Sequence, residues 1–170
     1  AADIDIAREL GADGVVFGCL RPDGSLDTEA NAMLMEHAKG LSVTFHRAFD
    51  RCADPRKALE ELIAKGFDRI LTSGQQPTAL EGTPLLKELH EQANGRIILL
   101  AGCGVNEQNI ATIAQATAIH EFHFSARTAV KSKMMFSNPD VYMGAKDADE
   151  DTLNITSAER VANTIAQLCK

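Results

Sequence analysis

The segment Thr44-Phe45-His46-Arg47-Ala48-Phe49-Asp50 sets an imidazole, a guanidinium and a carboxylate at the end of the apolar run Leu41 to Phe45. Such a trio supports two kinds of chemistry. His46 offers an imidazole that can exchange a proton, with Asp50 to orient it. Arg47 can hold a carboxylate or carbonyl through its planar fork, and Ser73, at the end of another apolar run, can assist. His46, Arg47, Asp50 and Ser73 are therefore the candidate catalytic residues. A plainer alternative stays open, in which Arg47 and Asp50 pair to hold their own loop and His46 is a satisfied core histidine.

Two further constellations compete with this one. Gly102-Cys103-Gly104 and Ser125-Ala126-Arg127 each follow an apolar run. Glycines let backbone N–H groups approach an anion, a following helix favours negative charge at its N-terminus, and Arg127 can neutralise it. Gly102, Gly104, Ser125 and Arg127 are thus a candidate phosphate or small-anion site, the alternative being that the glycines only make a turn. Soft-metal ligands form the third set. Cu(I) favours thiolate, thioether or imidazole, and Cys19, Cys52, Cys103 and His123 fall at or near strand ends. Against this, the cysteines have no CxxC spacing and read equally well as small buried hydrophobes. Met134-Met135 adds possible thioethers, while Cys169, far along the last helix, belongs to no site. No G-x-S-x-G elbow or Walker loop appears.

Strands and helices must bring these residues together. Residues 3–10 predict a helix capped by Asp3, with Ile6, Ala7 and Leu10 inward and Gly11 as its stop. Five strand-helix units follow, repeating about every 25 to 28 residues. Their strands are expected at residues 14–20, 41–46, 69–73, 97–101 and 121–125. Asp27 and Asp54 are expected N-caps, with Pro55 at the first helical position, and Asn106 is expected to cap the helix after the fourth strand. The second helix should bury Ala30, Met33, Leu34 and Ala38. Residues 131–155 lose all period and are expected to form a long loop, partly acidic from Asp147 to Asp151. Thr156-Ser157-Ala158-Glu159 then predicts a capping box opening a terminal helix over residues 156–170.

Strict alternation with short loops implies a parallel sheet with right-handed crossovers. Parity favours a closed barrel over an open sheet. Ser42, Thr44 and His46 share one face of their strand and Glu121, His123 and Ser125 one face of another, opposite to apolar residues. A barrel lumen tolerates such a polar face; an open sheet covered on both sides does not. Glu121 begins its strand, which puts it at the barrel floor as a structural partner. Five units do not close an eight-stranded barrel, so the expectation is a single α/β domain, a TIM-type (β/α) barrel lacking its first three strand units. The edges thereby exposed favour association of copies, so a homo-oligomer is expected.

Val43 to Asp50, Arg69-Ile70-Leu71-Thr72-Ser73-Gly74-Gln75, Ala101-Gly102-Cys103-Gly104-Val105 and the strand at 121–126 together resemble the CutC family of copper homeostasis proteins. The resemblance covers nearly the whole chain and corresponds to the C-terminal two-thirds of the family. It implies a TIM barrel, a role in copper homeostasis and possible Cu(I) binding. The cysteines usually discussed as copper ligands lie in the family's N-terminal part, so none is carried over here. The alternatives are a TIM-barrel enzyme acting on a small phosphorylated or anionic substrate at the C-terminal face, or an inactive partial scaffold.

Composition narrows the partners. A formal charge of -7 over 170 residues, with no basic run, argues against nucleic acid. The apolar runs are strand-sized, which predicts no membrane span, and four scattered cysteines suit a reducing cytoplasm. The expected ligand is a small molecule or a metal ion.

Overall fold

The computed structural model describes residues 1–136, 138, 140, 141, 144, 149 and 151–169. They form two compact units, residues 1–124 and 125–170. The first begins with α1 (Ala2–Glu9) and continues as β1 (Gly14–Phe17), α2 (Thr28–His37), β2 (Ser42–Phe45), α3 (Pro55–Ala64), β3 (Arg69–Thr72), α4 (Thr83–Ala93), β4 (Ile98–Gly102), α5 (Ile110–Thr117) and β5 (Glu121–His123). A short 3-10 turn, Arg47–Arg51, lies between β2 and α3. The five strands are parallel neighbours in chain order. This is the strand-helix progression of a TIM-type barrel.

Register confirms the parity. Val16 pairs with Thr44, Thr44 with Arg69, and Leu71 with Leu100. Glu121 pairs with Leu100 and His123 with Gly102. These residues share one face, and Val15, Val43, Phe45, Ile70, Leu99 and Ala101 share the other. The second face is the buried one: Phe45, Ile70 and Ala101 are wholly covered, together with Leu59, Leu62, Leu86, Leu89, Ile110 and Ile113 from the helices. The first face carries the polar side chains and leaves Val16 62% exposed. At its floor Glu121 accepts from Arg69 Nε at 2.7 Å, and Arg69 Nη1 donates to Ser42 Oγ at 3.0 Å. The third strand, where polar and apolar residues fall on both faces, is thereby oriented with Arg69 and Leu71 on the barrel face.

Local signals place the helices. Asp54 caps α3 by accepting from the Arg56 and Lys57 amides at 3.1 Å, and Pro55 opens it. Asp27 caps α2 by accepting from Ala30 at 3.0 Å. Four expectations are corrected. Asp3 does not cap α1 but lies in its first turn, with Ala1 at the N-cap position and no side-chain cap hydrogen bond. In α1 only Ile4 is buried, and Leu10 is 83% exposed, because this edge helix packs mainly against α2 and β1. Asn106 does not cap α5. Its side chain instead accepts from the Gln108 amide, and Asn109 takes the N-cap position after an intervening turn. In α2 the wholly buried residue is Asn31, while Met33 lies 52% exposed. The Asn31 amide donates to the Cys19 and Asp27 carbonyls at 2.9 and 2.8 Å and accepts from the Cys19 N–H at 3.0 Å. It thus replaces a strand neighbour for the chain leaving β1, and that demand sets the rotation of the helix.

The second unit holds β6 (Arg127–Lys131), β7 (Thr152–Thr156) and α6 (Ala158–Ala166). The stretch expected as loop therefore begins and ends in strand, with Arg127 opposite Thr156 and Lys131 opposite Thr152 in antiparallel pairing. Its β-branched residues Thr128, Val130, Thr152, Ile155 and Thr156 suit a hairpin. Most of the acidic run, Asp147, Ala148 and Glu150, and Lys170 at the terminus lie outside the described residues. The cap of α6 is Ser157, accepting from Arg160; Thr156 belongs to β7 instead of forming a capping box. Among the described residues no helix is long and apolar enough to cross a membrane.

Asn31→Leu should destabilise the first unit by about 2 kcal/mol, because the Cys19 N–H would lose its partner while the Cys19 C=O would keep only the Asp27 N–H. Urea denaturation measures it, and a loss below about 1 kcal/mol would show that the amide clamp is dispensable. A second test concerns acid. Glu60 accepts both Arg96 Nη atoms, at 2.7 and 2.8 Å, and Gln92 Nε2 at 2.9 Å, which lowers its carboxyl from 4.5 to about 2. A depressed folded value means that this stabilisation is present above pH 4.5 and lost as pH falls towards about 2. Glu60→Gln should flatten the stability profile across that window, as read by thermal melts at stepped pH.

Candidate functional site

Parallel strands end on one side, so the residues following β1 to β4 share the C-terminal edge of the sheet. Asp50 organises it. Its side chain, in the turn after β2, is only 6% exposed. Thr72 Oγ1 donates to Oδ1 at 2.6 Å, the Gln75 N–H to Oδ1 at 3.1 Å, and the Ser73 N–H to both oxygens at 3.0 and 3.1 Å. Arg47 Nε donates to Oδ2 at 2.7 Å. A carboxylate offers about four acceptor sites, so four donors occupy it. Asp50 is therefore bound up in structure, and the plainer alternative weighed for the Arg47–Asp50 pair fits its geometry.

Ser73 is engaged too. It is wholly buried, and its hydroxyl has one proton for two acceptors, Gln76 O at 2.6 Å and Asp50 Oδ2 at 3.1 Å. The shorter bond takes the proton, leaving a lone pair to accept from Arg47 Nη2 at 2.8 Å. Arg47 Nε and Nη2 form the side-on edge of the guanidinium, and Asp50 and Ser73 fill that edge together. Its end-on edge, Nη1 and the second proton of Nη2, meets no oxygen among the described residues, and the side chain is 42% exposed. Hydrogen bonding to Asp50, opposed by burial and assisted by charge from Asp50 and Cys103, raises Arg47 above its ordinary value. It is a permanent cation held in one orientation.

His46 precedes this cluster. Its Nδ1 accepts from the Ala48 N–H at 3.2 Å, which assigns the proton of the neutral ring to Nε2. The ring packs edge-on to Phe45, and Gly18 makes room for both: a Cβ there would lie 2.8 Å from Phe45 and 3.0 Å from His46 Nδ1.

The loop after β3 is closed at its base by Gly74 and Gly82. Gly74 has φ +69°, and a Cβ on Gly82 would sit 1.8 Å from the Ser73 carbonyl oxygen. Inside the loop, Gln75 adopts φ +57° and donates through Nε2 to the Cys52 carbonyl at 2.7 Å. Thr72 and Gln75 were not singled out from sequence, although both belong to the Leu71-Thr72-Ser73-Gly74-Gln75 segment. The available signal was a hydroxyl and an amide flanking Ser73.

The cysteines separate. Cys52 is buried, and burial first, then the nearby Asp50 and Asp54 charges, push its thiol up to about 11. Cys19 is half-buried behind the Asn31 clamp. Cys103 is half-exposed, holds φ +83°, and donates through Sγ to the Pro77 carbonyl at 3.1 Å, with its sulfur also interacting with Arg47. His123 ends β5, exposed, with its Cβ against Gly102. Among the described residues no three His, Cys, Asp or Glu side chains gather as a metal site would. Gly102 and Gly104 flank Cys103 in the first unit. Ser125 and Arg127 belong to the second, where the Ser125 carbonyl accepts from Thr156 Oγ1 at 3.3 Å and the Arg127 carbonyl accepts from Arg160.

A parallel β/α progression with ionisable side chains at its C-terminal edge defines a TIM-type barrel protein. The chain belongs to the CutC family, whose model matches residues 1–128. It is 62% identical over 164 residues to a CutC family protein of Bacteroides thetaiotaomicron, matching 96% of this chain and 66% of that protein. A Vibrio cholerae CutC family protein is 45% identical over 170 residues, matching 99% and 67%. The chain thus spans about two thirds of the length of these relatives. The solved CutC structure from Streptococcus agalactiae superposes with a TM-score of 0.69 at 37% identity, over 72% of this chain and 60% of that one. A structure described as native KDPGal matches 99% of the chain at a TM-score of 0.58 and 15% identity, a likeness of fold alone.

Asp50→Asn should cost about 3 kcal/mol and release the loop after β3, because an amide NH₂ replaces an acceptor where only donors point. Chemical denaturation measures the loss. Stability equal to the wild type would mean that the carboxylate does not organise this edge.

Proposed function

We propose that the C-terminal edge of the sheet binds a small oxyanion, a carboxylate or a phosphoryl group, end-on against Arg47. The observation that carries this is the division of the guanidinium: its side-on edge is filled by Asp50 and Ser73, and its end-on edge meets no oxygen among the described residues on a side chain 42% exposed. An arginine held only for structure has no need of so complete a lock, whereas a ligand-binding fork gains from preorganisation. His46 is the group suited to proton exchange with such a ligand. Asp50 and Ser73 act as positioning residues.

The name of the S. agalactiae relative joins it to copper homeostasis. We propose that role for this chain as a second reading, with Cys103 as the point of contact, because it is the thiol beside Arg47. The described donor set does not by itself make a closed Cu(I) site, which is why the anion reading comes first.

Arg47→Lys should weaken binding of acetate or inorganic phosphate at least about tenfold, since a point charge cannot reproduce the fork. Titration followed by NMR of the arginine Nε–H, with calorimetry for the variant, measures it. Equal affinity in wild type and variant would remove Arg47 from the site. Anaerobic Cu(I) titration supplies the parallel arm, and stoichiometry unchanged by Cys103→Ser would remove the copper contact.

A further inference from the structure

Resting on the anion-binding reading of Arg47, we propose that the ligand of this edge is a small monocarboxylate and that dianionic phosphates are excluded from it. The donors left over for a ligand decide the class. A phosphoryl group has three strong acceptor oxygens and is held by runs of backbone N–H groups. Left-handed Gly74 and Gln75 shape the loop after β3 into such a cradle, but the anion it holds is the protein's own. The Ser73 and Gln75 N–H groups donate to Asp50 at 3.0 to 3.1 Å, and the Gly74 N–H donates to Thr72 Oγ1 at 2.9 Å. In the turn before α5 the Asn106 and Gln108 N–H groups are also taken, each at 2.9 Å, by the Asn109 and Asn106 side chains.

What remains suits a planar group with two oxygens. The end-on edge of Arg47 presents two parallel N–H donors, which match the pair of oxygens on one carboxylate. Asp50 and Ser73 fix the plane of that edge through Nε and Nη2, at 2.7 and 2.8 Å. Cys103, the other neighbour of the guanidinium, offers only a thiol, a weak acceptor that a carboxylate outcompetes. His46 adds a further donor. Its Nδ1 accepts from the Ala48 N–H, so the neutral ring carries its proton on Nε2, which meets no partner among the described residues. Charge makes the same selection. Arg47 and the nearly buried Asp50 sum to zero, so a monoanion adds a single unbalanced charge beside Asp50 and a dianion adds two. Arg51, the other cation of that turn, is exposed, where water and salt screen it.

The test titrates acetate and methyl phosphate separately into the full chain at pH 7.5, where the phosphate ester is a dianion. NMR of the Arg47 Nε–H places each ligand, and calorimetry gives its affinity. Acetate should bind at least about tenfold more tightly than methyl phosphate, the scale of one unmatched charge beside a carboxylate. In Arg47→Lys, shown to be folded by its thermal melt, acetate should lose at least about tenfold in affinity, because a point charge does not match the plane. Where that variant fails to fold, the ratio of the two affinities in the wild type still decides. Methyl phosphate binding at Arg47 as tightly as acetate, or more so, overturns the carboxylate assignment while the anion reading stands. An Arg47 Nε–H that neither anion moves, or acetate affinity unchanged in folded Arg47→Lys, removes both.

Discussion

One buried carboxylate holds the C-terminal edge together. Asp50 takes a hydroxyl and two backbone amides from the chain leaving β3 and a guanidinium from its own turn. A charge so enclosed is tolerable only when each lone pair has a donor. The requirement runs in both directions: the loop after β3 needs the carboxylate to satisfy amides that its left-handed residues turn away from the ladder. Strand pairing supplies the platform, and Asp50 joins two neighbouring loops into one surface on it. Arg47 inherits its orientation from that junction.

Much of this was legible in the chain. The strand-helix repeat, the caps Asp27 and Asp54, the polar face of β2 and the floor pair of Glu121 all follow from period and parity, which are local properties. The terms that failed were set by tertiary demand. Asn31 breaks the hydrophobic stripe of α2 because an exiting strand needs its amide. Leu10 is exposed because it follows the last turn of an edge helix that buries only Ile4. Asn106 looks like a cap in isolation but serves a turn one step before the helix. The ends of the stretch at 131–155 form a hairpin whose short strands are separated by too many residues for a turn signal to join them.

The site was legible in membership and less so in role. His46, Arg47, Asp50 and Ser73 were identified together, since their positions depend only on where strands stop. Their division of labour depends on which hydrogen bonds close, and that is invisible in residue types. Asp50 and Arg47 look like equal partners in the sequence. In the structure one has no acceptor left to offer and the other keeps the donors of its end-on edge. The same distinction separates Cys52 from Cys103, two small thiols near strand ends that differ in burial and in the charge of their neighbours.

The glycine pinch at the base of the loop after β3 has a consequence for how such proteins diversify. Gly82 lies so close to the Ser73 carbonyl that no side chain fits between them, and the chain between the two contacts is returned to its starting point regardless of what it does in the interval. Residues added at the exposed Leu80 and Glu81, past the buried Ala79, would therefore change the outline of the rim without shifting the strand end or the start of α4. Lineages sharing this scaffold can vary the length of that segment, and with it the size of molecule admitted, while the machinery beneath stays fixed.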